Sequence, residues 1–130
     1  MTGAKPPVID ASAVLALFEH EPGWQRVASR LGGAAISTVN WAEVVQKNLE
    51  RGVSLEISRS WASSNGIEAV QFTIEDAETA ASMARATSSA GLSLGDRACL
   101  ALAQRMNRPA LTADRRWANL KVGAAIEMIR

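Results

Sequence analysis

Short apolar runs alternate along the chain with longer segments in which apolar residues recur every three or four positions. The short runs have the length of strands, and the longer segments have the period of amphipathic helices. Strands that alternate with helices are typical of a parallel sheet covered by helices on both faces. The pattern therefore predicts an α/β fold with three layers, α/β/α, around a central, mainly parallel sheet. The predicted strands are residues 8–9, 34–36, 67–72, 109–112 and 125–129.

Six segments have helical periodicity, and several residues are suited to begin or end them. Ser37 or Thr38 can accept the hydrogen bond that starts a helix, and Gly52 can end the same helix. Thr73 precedes an acidic first turn, which favours a helix start, and Gly91 is suited to end that helix. The predicted helical segments are residues 14–18, 24–31, 41–49, 55–61, 77–86 and 98–106.

The composition is that of one globular domain. The chain has 130 residues, of which 48% are apolar and 21% charged, and no repeat or linker divides residues 1–130. No apolar run approaches the roughly 18 residues that cross a bilayer, and residues 1–7 lack the apolar region of a signal peptide. The single Cys99 excludes an internal disulfide and agrees with a reducing compartment. We therefore expect a cytoplasmic protein without membrane association.

Positive charge is concentrated towards the C-terminus, although the net charge of the chain is only +1. Residues 1–90 carry 10 acidic and 7 basic side chains, whereas residues 91–130 carry 3 acidic and 7 basic ones. A basic segment of this kind either contacts phosphates or forms a solvated face, and charge alone leaves both interpretations open.

Four acidic residues occupy related places in the predicted fold. Asp10 directly follows the first strand, and Asp114 comes just after the strand at 109–112. Asp96 begins a helix that is apolar nearly all round, which is typical of a helix in the middle of a small domain. Glu43 lies within a turn or two of the helix start that follows the second strand. Since ligands bind at the carboxyl ends of parallel strands, we expect these four carboxylates to converge on one cleft.

Carboxylates packed together repel one another, so they either raise their pKa values or recruit a cation. Oxygen ligands select hard cations such as Mg²⁺ or Mn²⁺. The single His20 and the single Cys99 cannot build a zinc site. A hard cation lowers the pKa of a bound water and stabilises charge on a phosphoryl oxygen, which favours phosphodiester hydrolysis.

Each of these acidic residues also has a purely structural interpretation. Asp10 and Asp96 are placed to cap helices, and Glu43 on an amphipathic helix is placed to face solvent. Asp114 precedes two arginines and is placed to pair with one of them or to cap a turn. These alternatives stay open at the level of single residues, and only the joint pattern favours a site.

Four segments together resemble the PIN-domain nucleases, and within them the VapC-type toxins of bacterial toxin–antitoxin pairs. The segments are V-I-D-A-S-A-V-L-A-L, S-T-V-N-W-A-E-V, L-S-L-G-D-R-A-C-L-A-L-A and L-T-A-D-R-R-W, and their order and spacing fit that family over essentially the whole chain. The resemblance implies a three-layer PIN-like domain with an acidic quartet that binds Mg²⁺ or Mn²⁺. It implies an endoribonuclease directed at single-stranded RNA, usually a homodimer or a hetero-oligomer in which a small cognate antitoxin holds it inactive.

The resemblance also assigns roles to individual positions. It makes Asp10, Glu43, Asp96 and Asp114 the catalytic acids. In the mechanism we predict, Asp10, Asp96 and Asp114 hold the metal and Glu43 orients the attacking water. Ser12 and Thr112 match the small hydroxyl residues that lie beside the first and last aspartates of the family and orient carboxylates or a water.

Basic residues close to the predicted cleft are expected to hold RNA phosphates, and Arg97, Arg115 and Arg116 are the best candidates. Arg115 and Arg116 stand where some relatives place a further acid or asparagine. Three other functions compete with an RNA-cleaving toxin. They are a PIN-like binding module, a housekeeping RNA-processing nuclease without an antitoxin, and a small-molecule phosphohydrolase, which Ser12 argues against because haloacid dehalogenase-like enzymes need a second aspartate there.

Overall fold

Within residues 5–130, which the computed structural model describes, five short strands form one sheet in which each pairing is parallel. Residues 1–4, part of the segment in which we predict no signal peptide, lie outside the described residues. The strand order is β3-β2-β1-β4-β5. The predicted α/β class and parallel sheet are confirmed. The strands are β1 (Val8–Ile9), β2 (Ala35–Ser37), β3 (Glu68–Val70), β4 (Ala110–Thr112) and β5 (Ile126–Met128).

Seven α-helices lie among the described residues, and most of them occupy the predicted segments. The segment predicted at 77–86 is divided, because one helix ends at Ser82 and the next begins at Ala84. The segment predicted at 24–31 is helical only as far as Ala28, and the chain turns towards β2 at Gly33, which has a left-handed φ of +79°. The helices are α1 (Ala11–Phe18), α2 (Trp24–Ala28), α3 (Thr38–Glu50), α4 (Leu55–Ser64), α5 (Ile74–Ser82), α6 (Ala84–Thr87) and α7 (Leu94–Met106).

Side-chain caps begin the long helices that flank the sheet. Ser37 accepts a hydrogen bond from the Val39 N–H at 3.2 Å, which selects Ser37 over Thr38 as the cap of α3. Thr73 and Asp76 form a reciprocal capping box at the start of α5, as the acidic first turn predicts. No helix among residues 5–130 is both long enough and apolar enough to span a membrane.

The two faces of the sheet carry separate hydrophobic cores, because successive residues of a strand point to opposite sides. Val8, Ala35 and Ala110 pack against the buried residues of α7 on one face. Ile9, Ile36 and Leu111, the next residue along each strand, pack on the other face against α1 and α3. The run Ala98 to Ala103 of α7 is at most 1% exposed, which confirms the predicted buried helix and the three-layer arrangement.

The chain reverses its direction of travel across the sheet at β1. It moves from β1 outward through β2 to β3, and then returns to add β4 and β5 on the opposite side. Val8 pairs with Ala35 of β2 and with Ala110 of β4, so the carboxyl ends of three strands lie side by side. A crevice at such a reversal is the usual ligand site of a parallel α/β sheet.

Candidate functional site

The four predicted acidic residues line one open cleft of about 320 Å³ at this edge of the sheet. Each comes from a different part of the fold: the end of β1, the first half of α3, the first turn of α7 and the segment after β4. The cleft thus gathers carboxylates that lie up to a hundred residues apart in the sequence. Its lining consists of Asp10, Ala11, Ser12, Leu15, Glu43, Gln46, Lys47, Asp96 and Asp114.

Asp10 is the most deeply buried of these acids, with only 4% of its surface exposed. It occupies the capping position of α1, but its side chain makes no capping hydrogen bond to that helix. Instead, its Oδ2 accepts hydrogen bonds from the Ser12 hydroxyl at 2.5 Å and the Thr112 hydroxyl at 3.0 Å. The helix-cap interpretation therefore does not describe the contacts of this carboxylate, which is held by side chains at the sheet edge.

Burial raises the pKa of Asp10 to about 6 from an ordinary value of 3.8. The negative charges of Asp96 and Glu43 raise this pKa further, whereas the hydrogen bonds from Ser12 and Thr112 lower it. The hydroxyl groups thus offset only part of the free-energy cost of burying the ionised Asp10 carboxylate. A positive ion beside Asp10 would remove the remaining cost.

The two hydroxyl groups also join the ends of β1 and β4. While Ser12 donates to Asp10, its oxygen accepts the Ala113 N–H at 3.0 Å. Thr112 in the same way accepts the Asp114 N–H at 3.0 Å while it donates to Asp10. The backbone that carries Asp114 is therefore tied to the carboxylate of Asp10, which fits the orienting role that the resemblance implies for Ser12 and Thr112.

Asp96 lies at the third position of α7 and is fixed by its own helix start. Its Oδ2 accepts the Ser93 N–H at 2.8 Å, and its N–H donates to the Ser93 hydroxyl at 3.2 Å. This capping box agrees with the interpretation of Asp96 as a residue that caps the start of α7. The same side chain still lines the cleft, so capping holds the carboxylate in position beside the other acids.

Asp114 is paired with Arg116, and the guanidinium extends on to a second acid. Arg116 Nη2 lies 2.5 Å from Asp114 Oδ2 and 3.5 Å from Asp96 Oδ2. Its Nη1 also donates to the Gly91 carbonyl at 2.9 Å. The hydrogen bond from Arg116 lowers the pKa of Asp114. The gap between Asp96 and Asp114 therefore already accommodates a positive group.

The other basic residues differ in their relation to the cleft. Arg97 turns towards α5 and donates to the Ala80 carbonyl at 2.8 Å, and Arg115 lies exposed just after Asp114. Lys47, which the sequence interpretation did not select, lines the cleft itself. Lys47 follows Glu43 by four residues on α3 and so shares its face, a spacing that would have identified it. The phosphate-binding roles of Arg97, Arg115 and Arg116 stay predictions.

Asn40 is a further residue that the sequence interpretation missed. It is fully buried, and its Nδ2 donates both to Glu43 Oε1 and to the Gly95 carbonyl at 2.9 Å. It precedes Glu43 by three residues, so helical spacing places the two side chains together. Glu43 itself is exposed, but one of its oxygens is fixed by this amide.

The chemistry of the cleft fits a hard divalent cation. As they stand, no three acidic, histidine or cysteine side chains of residues 5–130 are arranged to hold a metal ion. The potential ligands are nevertheless carboxylate oxygens alone, the donors that Mg²⁺ and Mn²⁺ prefer. Asp10 lacks a basic partner among the described residues, and the guanidinium of Arg116 shows where positive charge is accepted. His20 is exposed and stacked on Trp24, and Cys99 is buried in α7.

Most of the chain matches one known family of protein domains. The sequence profile of the PIN domain matches residues 8–123, a range that includes all four acids of the cleft. This chain belongs to the PIN domain family. No curated protein matches the chain by sequence.

Solved structures with similar folds include several from toxin–antitoxin systems. A toxin–antitoxin complex from Klebsiella pneumoniae superposes with a TM-score of 0.74 at 18% identity, covering 95% of this chain and 98% of that chain. A DNA-bound VapBC from Salmonella typhimurium has a TM-score of 0.63 at 16% identity, covering 95% and 97%. VapBC-5 from Mycobacterium tuberculosis has a TM-score of 0.59 at 21% identity, with the same coverage. At these identities the likeness establishes a shared fold.

Proposed function

We propose that this PIN domain protein is a divalent-cation-dependent endoribonuclease and the toxin of a toxin–antitoxin pair. The observation that carries the proposal is the convergence of four carboxylates on one cleft at the reversal point of a parallel sheet. One of them, Asp10, is buried at a cost that a cation would relieve. Membership of the PIN domain family supports a nuclease, and structural neighbours from VapBC systems support a toxin.

Asp10, Asp96 and Asp114 would hold Mg²⁺ or Mn²⁺, which supplies a Lewis acid for the scissile phosphate and a water of lowered pKa. Ser12 and Thr112 hold the Asp10 carboxylate in a fixed orientation through their hydroxyl groups. Glu43 is placed to accept a proton from the attacking water through Oε2, because its Oε1 is already bound by an amide.

RNA would lie across the open side of the cleft, where basic side chains can meet its phosphates. Lys47 lines the cleft, and Arg115 and Arg116 follow the last acid of the site. Contacts of this kind position the strand and make its binding depend on salt. We assign Lys47, Arg115 and Arg116 to this role, which Arg97 would share only by leaving the Ala80 carbonyl to which it donates.

The antitoxin would cover an apolar groove of about 450 Å³ between α1, α3 and α4. Phe18 and Trp61 meet there edge to face with ring centroids 4.6 Å apart, and Ile57 is 61% exposed beside them. An exposed apolar groove of this size is typical of a surface that a partner buries. We propose a homodimer or a toxin–antitoxin hetero-oligomer, located in the cytoplasm.

Cleavage of a labelled single-stranded RNA tests the proposed reaction. We expect cleavage with Mg²⁺ or Mn²⁺, none with a chelator, and a loss of at least about a hundredfold in Asp10→Asn and Asp96→Asn. Glu78→Gln, which removes an exposed acid on α5, is the matched control and should cleave like the wild type. Cleavage that persists in the chelator and in both aspartate variants would contradict the proposal.

A second experiment separates the toxin from the competing functions. Expression of the protein alone should arrest growth, whereas the Asp96→Asn variant should not. RNA cleavage without growth arrest would indicate a housekeeping nuclease. A folded protein that binds a partner but hydrolyses neither RNA nor a simple phosphomonoester would indicate a binding module.

A further inference from the structure

Glu43 approaches the backbone of α7 so closely that the residue there has no room for a side chain. A Cβ built on Gly95 would lie 2.7 Å from Glu43 Oε2 and 3.1 Å from both Cδ and Oε1. Separations below 3.0 Å are not tolerated, so either the carboxylate or the helix would have to move. The carboxylate is the end of a flexible side chain, and it would be displaced first.

The backbone conformation of Gly95 gives no other reason for a glycine. Gly95 is the second residue of α7, and it is not among the glycines with positive φ. Glycine is less favourable than alanine inside a helix, because it loses more conformational freedom on folding. What glycine provides at this position is space for the carboxylate of Glu43.

Asn40 fixes the same carboxylate from its own helix. Its two amide hydrogens go to Glu43 Oε1 and to the Gly95 carbonyl, so one side chain links the acid to the backbone beside it. Both partners are acceptors, which determines the orientation of the amide. The Oδ1 atom is then buried and finds no donor among residues 5–130. A buried amide whose oxygen accepts no hydrogen bond is unfavourable. The presence of Asn40 is therefore explained by the two hydrogen bonds that its N–H groups donate.

We propose that Asn40 and Gly95 are positioning residues for Glu43, which together hold its carboxylate at a fixed place in the acidic cleft. Gly95 provides the space against the first turn of α7, and Asn40 supplies the hydrogen bond that keeps Oε1 there. Neither residue reaches the substrate in this scheme, and both act through Glu43. The inference rests on the proposed nuclease function, in which Glu43 is the proton acceptor.

The Gly95→Ala variant tests the space, because alanine fits the backbone and only the carboxylate must move. We expect kcat for single-stranded RNA to fall by about tenfold or more with KM within about twofold of the wild type. The melting temperature should change by no more than a few degrees, since the gain from alanine in the helix is offset by the lost hydrogen bond between Glu43 and Asn40. Gly32→Ala is the matched control, because a Cβ at Gly32 meets nothing within 4 Å, and it should leave kcat unchanged.

A double-mutant cycle with Glu43→Gln identifies the residue through which Gly95 and Asn40 act. In the Glu43→Gln background, we expect Gly95→Ala to lower kcat by less than about twofold further. Asn40→Leu, which removes the amide donors at similar volume and adds no charge, should lower kcat in the same dependent way. Equal losses in both backgrounds, or a Gly95→Ala or Asn40→Leu variant with wild-type kcat, would overturn the proposal for the residue concerned.

A crystal structure of the Gly95→Ala variant gives a readout that does not require activity. We expect the Glu43 carboxylate to have moved away from α7 and its hydrogen bond to Asn40 to be broken. A carboxylate that stays in place while the helix shifts would overturn the proposal. Absence of RNA cleavage by the wild type would contradict the proposed function instead, and the crystal structure would still decide whether Gly95 positions Glu43.

Discussion

Replacing Asp10 by asparagine should stabilise the protein in the absence of divalent cations, although it should abolish activity. Asp10 is 4% exposed, and burial together with the charges of Asp96 and Glu43 raises its pKa to about 6. Asparagine keeps the shape of the side chain and still offers an oxygen to the two hydroxyl groups that donate to it. It carries no charge, so the electrostatic cost of the buried carboxylate disappears.

The expected size of this stabilisation follows from the pKa. An aspartate whose pKa is 3.8 in the unfolded chain and about 6 in the folded protein costs about 3 kcal/mol of folding free energy when ionised. Because folding raises the pKa of this acid, the full free-energy cost applies well above pH 6 and vanishes as the pH falls towards 3.8. We therefore expect Asp10→Asn to be about 2–3 kcal/mol more stable than the wild type at pH 7.5, with the difference nearly gone at pH 4.

Urea unfolding followed by tryptophan fluorescence measures this difference. The two proteins should be compared in a chelator from pH 4 to pH 8, and then with added Mn²⁺. Only the wild type should be stabilised by Mn²⁺ at neutral pH, by an amount that increases with the Mn²⁺ concentration. Glu78→Gln serves as the control for loss of a negative charge at an exposed position. A variant that is less stable than the wild type at pH 7.5, or a stability difference that does not change with pH, would refute the reasoning.

Two further predictions concern the arginines that pair with buried or clustered acids. Arg116→Gln removes the positive charge that bridges Asp96 and Asp114, so the affinity for Mn²⁺, measured by calorimetry, should rise by about tenfold at low salt. Arg115 is exposed, and Arg115→Gln should change this affinity little. Arg105→Gln removes the two hydrogen bonds, at 2.8 and 2.9 Å, to an Asp76 that is almost completely buried, and should cost about 2–3 kcal/mol in urea unfolding at pH 7. Those contacts lower the pKa of Asp76 despite its burial, so this loss should shrink as the pH falls below 4.

Local sequence patterns predicted most of the fold. The position of the cleft was predicted from the places where the strands end. The apolar runs at β1, β2 and β4 became the central strands because their residues alternate between two cores, as Val8 and Ile9 do. The segment at 77–86 was predicted as one helix, because its alanine-rich composition contains no breaker at Met83, where the structure divides it. Sheet order then brought the predicted acids together, a step that needs only parallel strands and short connections.

Contacts that depend on how two elements approach each other could not be predicted in this way. Arg116 was expected to bind RNA, and nothing in the sequence shows that its guanidinium reaches Asp96, which is distant in sequence and on another element. The contact between Glu43 and Gly95 likewise exists only because α3 and α7 pack together at that point. Hydrogen-bond networks of this kind are specified by tertiary structure, whereas caps such as Ser37 are specified locally.

Three features that are unfavourable for folding lie at the same cleft, and this coincidence argues that the cleft is a functional site. Asp10 is a buried carboxylate with a raised pKa, Asn40 has a buried oxygen without a donor among residues 5–130, and Gly95 is a glycine in the first turn of a helix. Each lowers stability by itself, and isolated exceptions of this kind occur in ordinary cores. Asp10 lines the cleft, and Asn40 and Gly95 both contact Glu43, which lines it too. The proposed function explains all three, because it needs a cation beside Asp10 and a fixed Glu43 carboxylate. Selection for stability alone would remove these features one by one, so their joint presence favours a cleft maintained for chemistry.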